Sequence, residues 1–114
     1  MTDLPALAYK ILTAAQWAKW QADGVFSGAP VDLADGFVHL STAEQLHETA
    51  ARHFAGQTGL VVVEVNLLAL GEAVHWEPSR GGALFPHVYC ALPIAAVVGE
   101  SFLPRDADDP ASIS

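Results

Sequence analysis

The chain has 114 residues, 52% hydrophobic and 16% charged, a composition typical of a folded domain with its own core and not of a disordered protein. Thirteen acidic residues against five lysines and arginines give a formal net charge of −8. That charge argues against general binding to nucleic acid or to an anionic membrane, which depends on Lys and Arg neutralising phosphate. A single cysteine excludes an internal disulfide. We find no pattern of a signal peptide in the sequence, and no apolar run reaches the roughly 18 residues that span a membrane. We therefore expect a cytoplasmic protein.

The first predicted elements are a strand and a helix. Residues 7–12 (LAYKIL) alternate as in a β-strand, with Tyr9 on one face and Lys10 on the other. Thr13 can cap a helix in a capping box with the glutamine three residues later, and Gly24 marks the end of that helix. The helix carries two tryptophans three residues apart, which we expect in the core.

A loop, a short strand and a second helix follow. Residues 26–35 are rich in Gly, Pro and Asp and predict a loop. Residues 37–40 predict a strand, with Phe37 and His39 on one side and Val38 and Leu40 on the other. The second helix should begin at Ser41 or at Thr42, since a Glu or Gln stands three residues after each of them, and it should stop at Gly56.

The second half of the chain predicts mainly strands. The β-branched run at residues 60–65 is the clearest of them, and it should be buried on both faces. The remaining segments are a helical turn at 66–71, a strand at 73–77, a loop at 78–86, a final strand or strand pair at 94–103 and an acidic, disordered tail at 104–114. Together the elements predict one α+β domain over residues 7–103. Its two main helices should pack on a curved mixed β-sheet of five to six strands.

The best candidate for a functional side chain is His39, where the second predicted strand meets the second helix. Free backbone N–H groups and the helix dipole favour an anion at such a junction, and Ser41 and Thr42 add hydroxyl groups. A histidine can also act as an acid or base near neutral pH. The alternative for His39 is a structural role, in which its ring bonds to a backbone carbonyl. The alternative for Ser41 and Thr42 is that their hydroxyl groups serve only as helix caps.

The second candidate is a glycine-rich loop with one arginine. Arg80 could grip phosphate or carboxylate in bidentate fashion, and Gly81 lets the backbone approach a ligand. His87 and Tyr89 follow and share one side if the segment is extended. The alternatives are a solvated arginine on a surface loop and an arginine paired with Glu77. We expect His39, Arg80 and His87 to meet around one pocket.

Metal and cysteine chemistry are not expected. The five histidines lack the spacing of a zinc site, and a single cysteine cannot form a thiolate cluster. Cys90 adjoins an apolar run and should be a small buried residue.

The chain resembles a small bacterial family, the one numbered 952 among the domains of unknown function. The resemblance covers nearly all of residues 8–103 and rests on these motifs: Tyr9-Lys10-Ile11-Leu12-Thr13, Trp17, Gly36-Phe37-Val38-His39-Leu40-Ser41-Thr42, Trp76-Glu77, Arg80-Gly81-Gly82 and Phe85-Pro86-His87-Val88-Tyr89. That family implies no established activity.

A second, more distant resemblance is to the ADP-ribosyltransferase-like fold, which includes the RNA 2′-phosphotransferases. It implies NAD as a substrate, with His39 as the histidine of the NAD site, Ser41 or Thr42 as its hydroxyl, and Arg80 and His87 as phosphate and ribose contacts. The catalytic glutamate of the transferases has no good counterpart, since Glu100 is a poor match.

Three classes of function remain open at this point. The first is an enzyme acting on NAD-like or phosphorylated ribose compounds, with His39 and His87 as catalytic residues, and the second is a non-catalytic binding or regulatory module for a small phosphorylated, nucleotide-like molecule. The third is a protein-interaction or purely structural domain. In the first two classes Ser41, Thr42, Arg80, Gly81 and Tyr89 are the expected binding residues. No tightly bound cofactor is implied, and we expect a monomer or a weak dimer.

Overall fold

The computed structural model describes residues 5–79 and 82–102, and the elements below are those of the described ranges. The eight strands are β1 (Leu7–Thr13), β2 (Val25–Phe26), β3 (Val38–His39), β4 (Leu60–Asn66), β5 (Val74–Pro78), β6 (Leu84–Val88), β7 (Leu92–Pro93) and β8 (Val97–Phe102). The three α-helices are α1 (Ala14–Asp23), α2 (Pro30–Asp35) and α3 (Ala43–His53). Short 3₁₀ segments cover Leu67–Ala73 and Ile94–Ala96. No described helix is long and apolar enough to cross a membrane.

The strands form three small sheets, with the orders β1-β4-β8, β3-β6-β5 and β2-β7, and every pair is antiparallel. The α+β class is therefore confirmed, whereas the expected single mixed sheet of five to six strands is wrong. Two-residue strands such as β2 and β7 are too short to show an alternating pattern, so their pairing cannot be seen in the sequence.

The caps of the two longer helices follow from local sequence. The Thr13 hydroxyl accepts the N–H of Gln16, whose side chain accepts the N–H of Thr13, and α1 ends at Gly24 with φ 78°. Helix α3 begins with the same box between Thr42 and Gln45. Of the two predicted starts of α3, Ser41 is therefore wrong, because its backbone instead forms a two-way bridge with Tyr9 of β1.

Two segments predicted as loops contain regular structure. The loop predicted at 26–35 holds the helix α2, which starts at Pro30 and is closed by Gly36 at φ 87°. Six residues are too few for an apolar repeat to reveal such a helix. The loop predicted at 78–86 is shorter than expected, because β5 extends to Pro78 and β6 begins at Leu84.

The main core lies between the β1-β4-β8 sheet and the β3-β6-β5 sheet, with α1 at one end. Trp17 and Trp20 are both buried there, as predicted, with their rings edge to face and 5.3 Å apart. A smaller apolar cluster lies under α3 on the opposite face of β1 and β4, formed by Ile11, Ala50, Leu60 and Val62. The prediction that β4 is buried on both faces is therefore confirmed.

Two residues in or beside the sheets needed an explanation. Glu64 interrupts the apolar run of β4, and its carboxylate accepts a hydrogen bond from the Tyr9 hydroxyl at 3.0 Å. Cys90 is exposed, contrary to expectation, because it lies in a bend between β6 and β7. The predicted acidic tail at 104–114 lies outside the described residues.

Candidate functional site

A cavity of about 560 Å³ opens between β1, α2, β3, α3 and β6. His39 and His87 both line it. They face each other directly in the antiparallel pairing of β3 with β6, which places their ring centroids 5.5 Å apart. The sheet register thus brings two imidazoles to one wall of one cavity.

The carboxylate of Asp32 is hydrogen-bonded to both the ring and the backbone of His39. Its Oδ1 accepts hydrogen bonds from His39 Nδ1 at 2.7 Å, from the His39 backbone N–H at 2.9 Å and from Lys10 Nζ at 3.1 Å. Its Oδ2 accepts from the Ala29 N–H at 2.6 Å and pairs with Lys10 Nζ at 2.9 Å. The Asp32 side chain is 1% exposed, so this one buried group ties β1, α2 and β3 together.

The charges of this buried pair perturb both partners. Burial by itself would raise the pKa of the Asp32 carboxyl, but the hydrogen bonds from His39 and Ala29 and the positive charge of Lys10 outweigh it and hold the pKa at about 2. Burial lowers the pKa of Lys10, and the Asp32 carboxylate opposes that shift. The Lys10 ammonium also donates to the His39 carbonyl at 3.1 Å, so its donors are used inside the protein.

The other ring nitrogen of His39 also meets a carboxylate. Nε2 lies 2.9 Å from Oδ2 of Asp35, the last residue of α2, whose side chain is 48% exposed and lines the cavity. Carboxylates only accept hydrogen bonds when ionised. The contact with Asp35 is an ion pair by distance and lacks hydrogen-bond geometry, so among the described carboxylates only Asp32 accepts a hydrogen bond from the ring.

His87 is held by a different carboxylate. Its Nδ1 lies 2.7 Å from Oε1 of Glu77, and the Tyr89 hydroxyl donates to the same oxygen at 2.8 Å. The hydrogen bonds from His87 and then Tyr89 lower the pKa of Glu77, and the bond to Glu77 raises the pKa of Tyr89. Because ionised Glu77 accepts the Nδ1 proton, the neutral ring of His87 carries its lone pair on Nε2, which makes no hydrogen bond to another described residue.

Phe37 fixes the orientation of both imidazoles. Its ring stacks on that of His87 with centroids 4.1 Å apart and tilts against that of His39 at 4.6 Å. Phe37 and His39 thus share one side of the chain, as the alternation at 37–40 predicts.

The predicted binding residues are placed differently from one another. Ser41 lines the cavity, with its hydroxyl 2.9 Å from that of Thr49. The Thr42 hydroxyl caps α3 and borders a separate, smaller pocket. Tyr89 is 46% exposed and contacts Glu77, outside the lining of the main cavity. Arg80 and Gly81 lie outside the described residues, so whether the arginine meets the two histidines stays a prediction.

Sequence reasoning missed Lys10, Asp32 and Asp35. Lys10 shares its face of β1 with Ala8 and Leu12, which are fully buried, and this alternation was the signal that the lysine points inward. The two aspartates stand seven and four residues before His39 in a segment predicted as a loop. Because helix α2 was not predicted, neither aspartate was expected to lie beside the His39 imidazole.

Two other expectations concern groups away from the histidines. Glu100 accepts the indole N–H of Trp17 at 2.6 Å and does not line the cavity. Within the described ranges no group of three or more His, Cys, Asp or Glu side chains is suited to hold a metal ion.

Comparison with known proteins gives a family and a set of related structures. The model of a family described as "Protein of unknown function (DUF952)" matches residues 11–100. The crystal structure of protein CC0527 from Caulobacter crescentus is 53% identical, covers 90% of each chain and has a TM-score of 0.85. The solution NMR structure of CC0527 is 52% identical, covers 87% of this chain and 85% of that one, and has a TM-score of 0.77. No curated protein sequence matches the chain. The more distant resemblance to the ADP-ribosyltransferase-like fold finds no support in these comparisons.

Proposed function

The chain belongs to the DUF952 family of proteins of unknown function, and we propose that it binds a small phosphorylated, nucleotide-like molecule in the cavity between His39 and His87, where the two imidazoles transfer protons. The proposal rests on one observation. Each imidazole on the cavity wall has its Nδ1 bonded to a carboxylate, which fixes both the orientation of the ring and the position of its protons.

The two histidines are prepared for opposite tasks. In its neutral form His87 has a lone pair on Nε2 and can take a proton from a hydroxyl group or a water molecule. In its protonated form His39 carries a proton on Nε2 and can give it to a leaving oxygen. A base and an acid on neighbouring rings suit a reaction in which one oxygen is deprotonated while another is protonated, as in the opening or hydrolysis of a phosphate ester.

The volume of the cavity agrees with a nucleotide-sized ligand, because small-molecule sites typically measure about 300–1,000 Å³ and this one measures about 560 Å³. Ser41 and Gln16 add polar groups to the lining, and Phe54 and Phe85 add aromatic surface. Such a lining can take a molecule with one acidic end and one flat, apolar end.

NAD and ADP-ribose are the first ligands to test, on the strength of the distant resemblance to ADP-ribosyltransferases. Glycosidic transfer is not part of the proposal, because the residue that stands nearest to a transferase glutamate, Glu100, is bonded to Trp17 and lies off the cavity.

A non-catalytic binding module is the second candidate, and one contact favours it. His39 Nε2 is already paired with Asp35 at 2.9 Å, so His39 must first exchange that partner before it can serve a leaving group. A module that only holds an anion needs no such exchange during a reaction cycle.

The two candidates can be separated in two steps. A thermal-shift screen with NAD, ADP-ribose, nucleotides and glutathione should reveal a ligand, since a ligand at 100 times its Kd adds about 2.7 kcal/mol of stability. Turnover of that ligand is then compared in His87→Gln, His39→Gln and, as a matched control, the exposed His47→Gln outside the cavity.

The enzyme proposal expects losses of about 100-fold or more in His39→Gln and His87→Gln, with His47→Gln unchanged. Binding without turnover supports the module instead. A screen in which no phosphorylated compound binds refutes both candidates.

A further inference from the structure

Each ring nitrogen of His39 lies within 3 Å of a carboxylate of α2, at 2.7 Å for Asp32 and 2.9 Å for Asp35, but the two carboxylates lie in opposite environments. Asp32 is 1% exposed and accepts additional hydrogen bonds from Lys10 and the backbone. Asp35 is 48% exposed, and the contact with His39 Nε2 is its one ion pair or hydrogen bond in the part of the chain that the structure describes. Asp32 is therefore fixed, whereas Asp35 can leave by a rotation of its own side chain.

Helix α2 gains nothing from a carboxylate at the position of Asp35. Asp35 is the last residue of the helix, where the partial negative charge of the helix end disfavours a second negative charge. Ion pairs exposed to this extent also contribute little to folding stability. The contact with His39 thus concerns the cavity that both residues line.

We infer that Asp35 occupies the position of the ligand's oxyanion, and that a phosphate or carboxylate group of the ligand replaces it as the anion beside His39 Nε2. This inference rests on the proposed function and specifies the ligand end that His39 recognises. The exchange conserves charge, because one anion leaves the ring as another arrives, while Asp32 keeps the ring in place.

The site should also reject neutral ligands. A neutral ligand would take the place of the Asp35 carboxylate beside His39 Nε2 without supplying a negative charge, so it should not displace Asp35. The acidic side chain therefore selects for an acid in the cavity, and between displacement events it keeps His39 paired.

The test uses the full chain, with histidine ¹⁵N resonances and aspartate side-chain ¹³C resonances followed by NMR. Wild type, Asp35→Asn and Asp23→Asn are each titrated with inorganic phosphate, acetate and glycerol. Asp23→Asn is the matched control, since it removes the same charge from an exposed pair with Lys19 that lies off the cavity.

In wild type, phosphate or acetate should shift the His39 Nε2 resonance together with the Asp35 carboxyl resonance, and glycerol should shift neither. Asp35→Asn should bind the anion at least about fivefold more tightly than wild type, because the competing carboxylate is gone. Asp23→Asn should match wild type. A larger gain for phosphate than for acetate identifies a phosphoryl ligand, and the reverse identifies a carboxylate ligand.

Two results overturn the inference, and they are distinguishable. If the anion shifts the His39 and His87 resonances but binds Asp35→Asn no more tightly than Asp23→Asn, Asp35 is not a stand-in, while the proposed anion-binding cavity remains. If neither anion shifts a histidine resonance of the cavity in any variant, the proposed function fails and this inference fails with it.

Discussion

Replacing Asp32 by asparagine should destabilise the protein by about 3–5 kcal/mol, because it leaves the Lys10 ammonium buried without its counter-charge. Lys10 is 7% exposed, and two of its three polar contacts are to the Asp32 carboxylate. The asparagine amide group also turns two hydrogens towards a cluster that consists of donors. A protein of this size has a total stability of about 5–15 kcal/mol, so the loss is large but the variant should still fold.

Urea denaturation measures this loss directly. With a slope of about 2 kcal/mol/M, the midpoint of Asp32→Asn should fall by about 2 M. The exposed pair formed by Lys19 and Asp23 is the matched control, and Asp23→Asn should cost no more than about 0.5 kcal/mol. The double variant Lys10→Met with Asp32→Asn should recover part of the stability, because it removes the unpaired charge and keeps the volume of the side chain.

Two results would refute the reasoning about the Lys10 and Asp32 pair. A loss below about 1 kcal/mol in Asp32→Asn would mean that the ammonium finds water or another acceptor. A double variant no more stable than Asp32→Asn alone would mean that the lost hydrogen bonds of His39 and Ala29, and not the charge of Lys10, set the cost.

Three further predictions concern pH, a helix cap and a tight backbone contact. The pKa of Asp32 is about 2 against an ordinary 3.8, so the contribution of its charge to folding stability is complete above about pH 4 and is lost as the pH falls through 2. The difference in unfolding free energy between wild type and Asp32→Asn should therefore shrink by about 2 kcal/mol over that range. A difference that stays constant contradicts the lowered pKa. Thr42→Ala should cost about 1 kcal/mol in urea denaturation and Thr42→Ser close to nothing, whereas equal losses would show that the cap of α3 lies elsewhere. Gly28→Ala should destabilise by about 1–3 kcal/mol, because Gly28 has φ 129° and an added Cβ would lie 2.9 Å from the Cβ of Asp32; an unchanged denaturation midpoint would disprove the contact.

A last prediction concerns the carboxylate that holds His87. Glu77 raises the pKa of Tyr89 by accepting a hydrogen bond from its hydroxyl group, so Glu77→Gln should move the pKa of Tyr89 down towards 10. Ultraviolet titration of tyrosinate in a Tyr9→Phe background, where Tyr89 is the only tyrosine, measures this pKa. A pKa that does not move would place the Tyr89 hydroxyl away from Glu77.

The elements that the sequence predicts well are those that depend on neighbouring residues. Thr13, three residues before Gln16, specifies the start of α1, and Gly24 specifies its end, because both act within one helical turn. The alternation of Phe37 and His39 likewise needs only the geometry of an extended chain. Such signals survive in almost any tertiary context.

The parts that could not be predicted depend on pairing across the chain. The division of the strands into three sheets follows from contacts such as β2 with β7, which join residues 25–26 to residues 92–93. The support of His39 required knowing that Lys10 and Asp32, 22 residues apart, meet in the interior. Local patterns carry no information on such contacts. The meeting of His39 with His87 is expected from the histidine at the strand–helix junction and from the arginine-glycine loop that precedes His87, and the sheet register supplies the physical reason.

Helix α2 also determines where this chain can accept foreign sequence. The segments at 27–36 and 55–59 each contain two glycines, but only the first carries a buried carboxylate bonded to a lysine on another element. Residues 55–59 are exposed and join α3 to β4, so an epitope tag or new chain termini placed there should leave the cavity intact. The same insertion at 27–36 would move Asp32 away from Lys10 and would remove the hydrogen bonds that support His39.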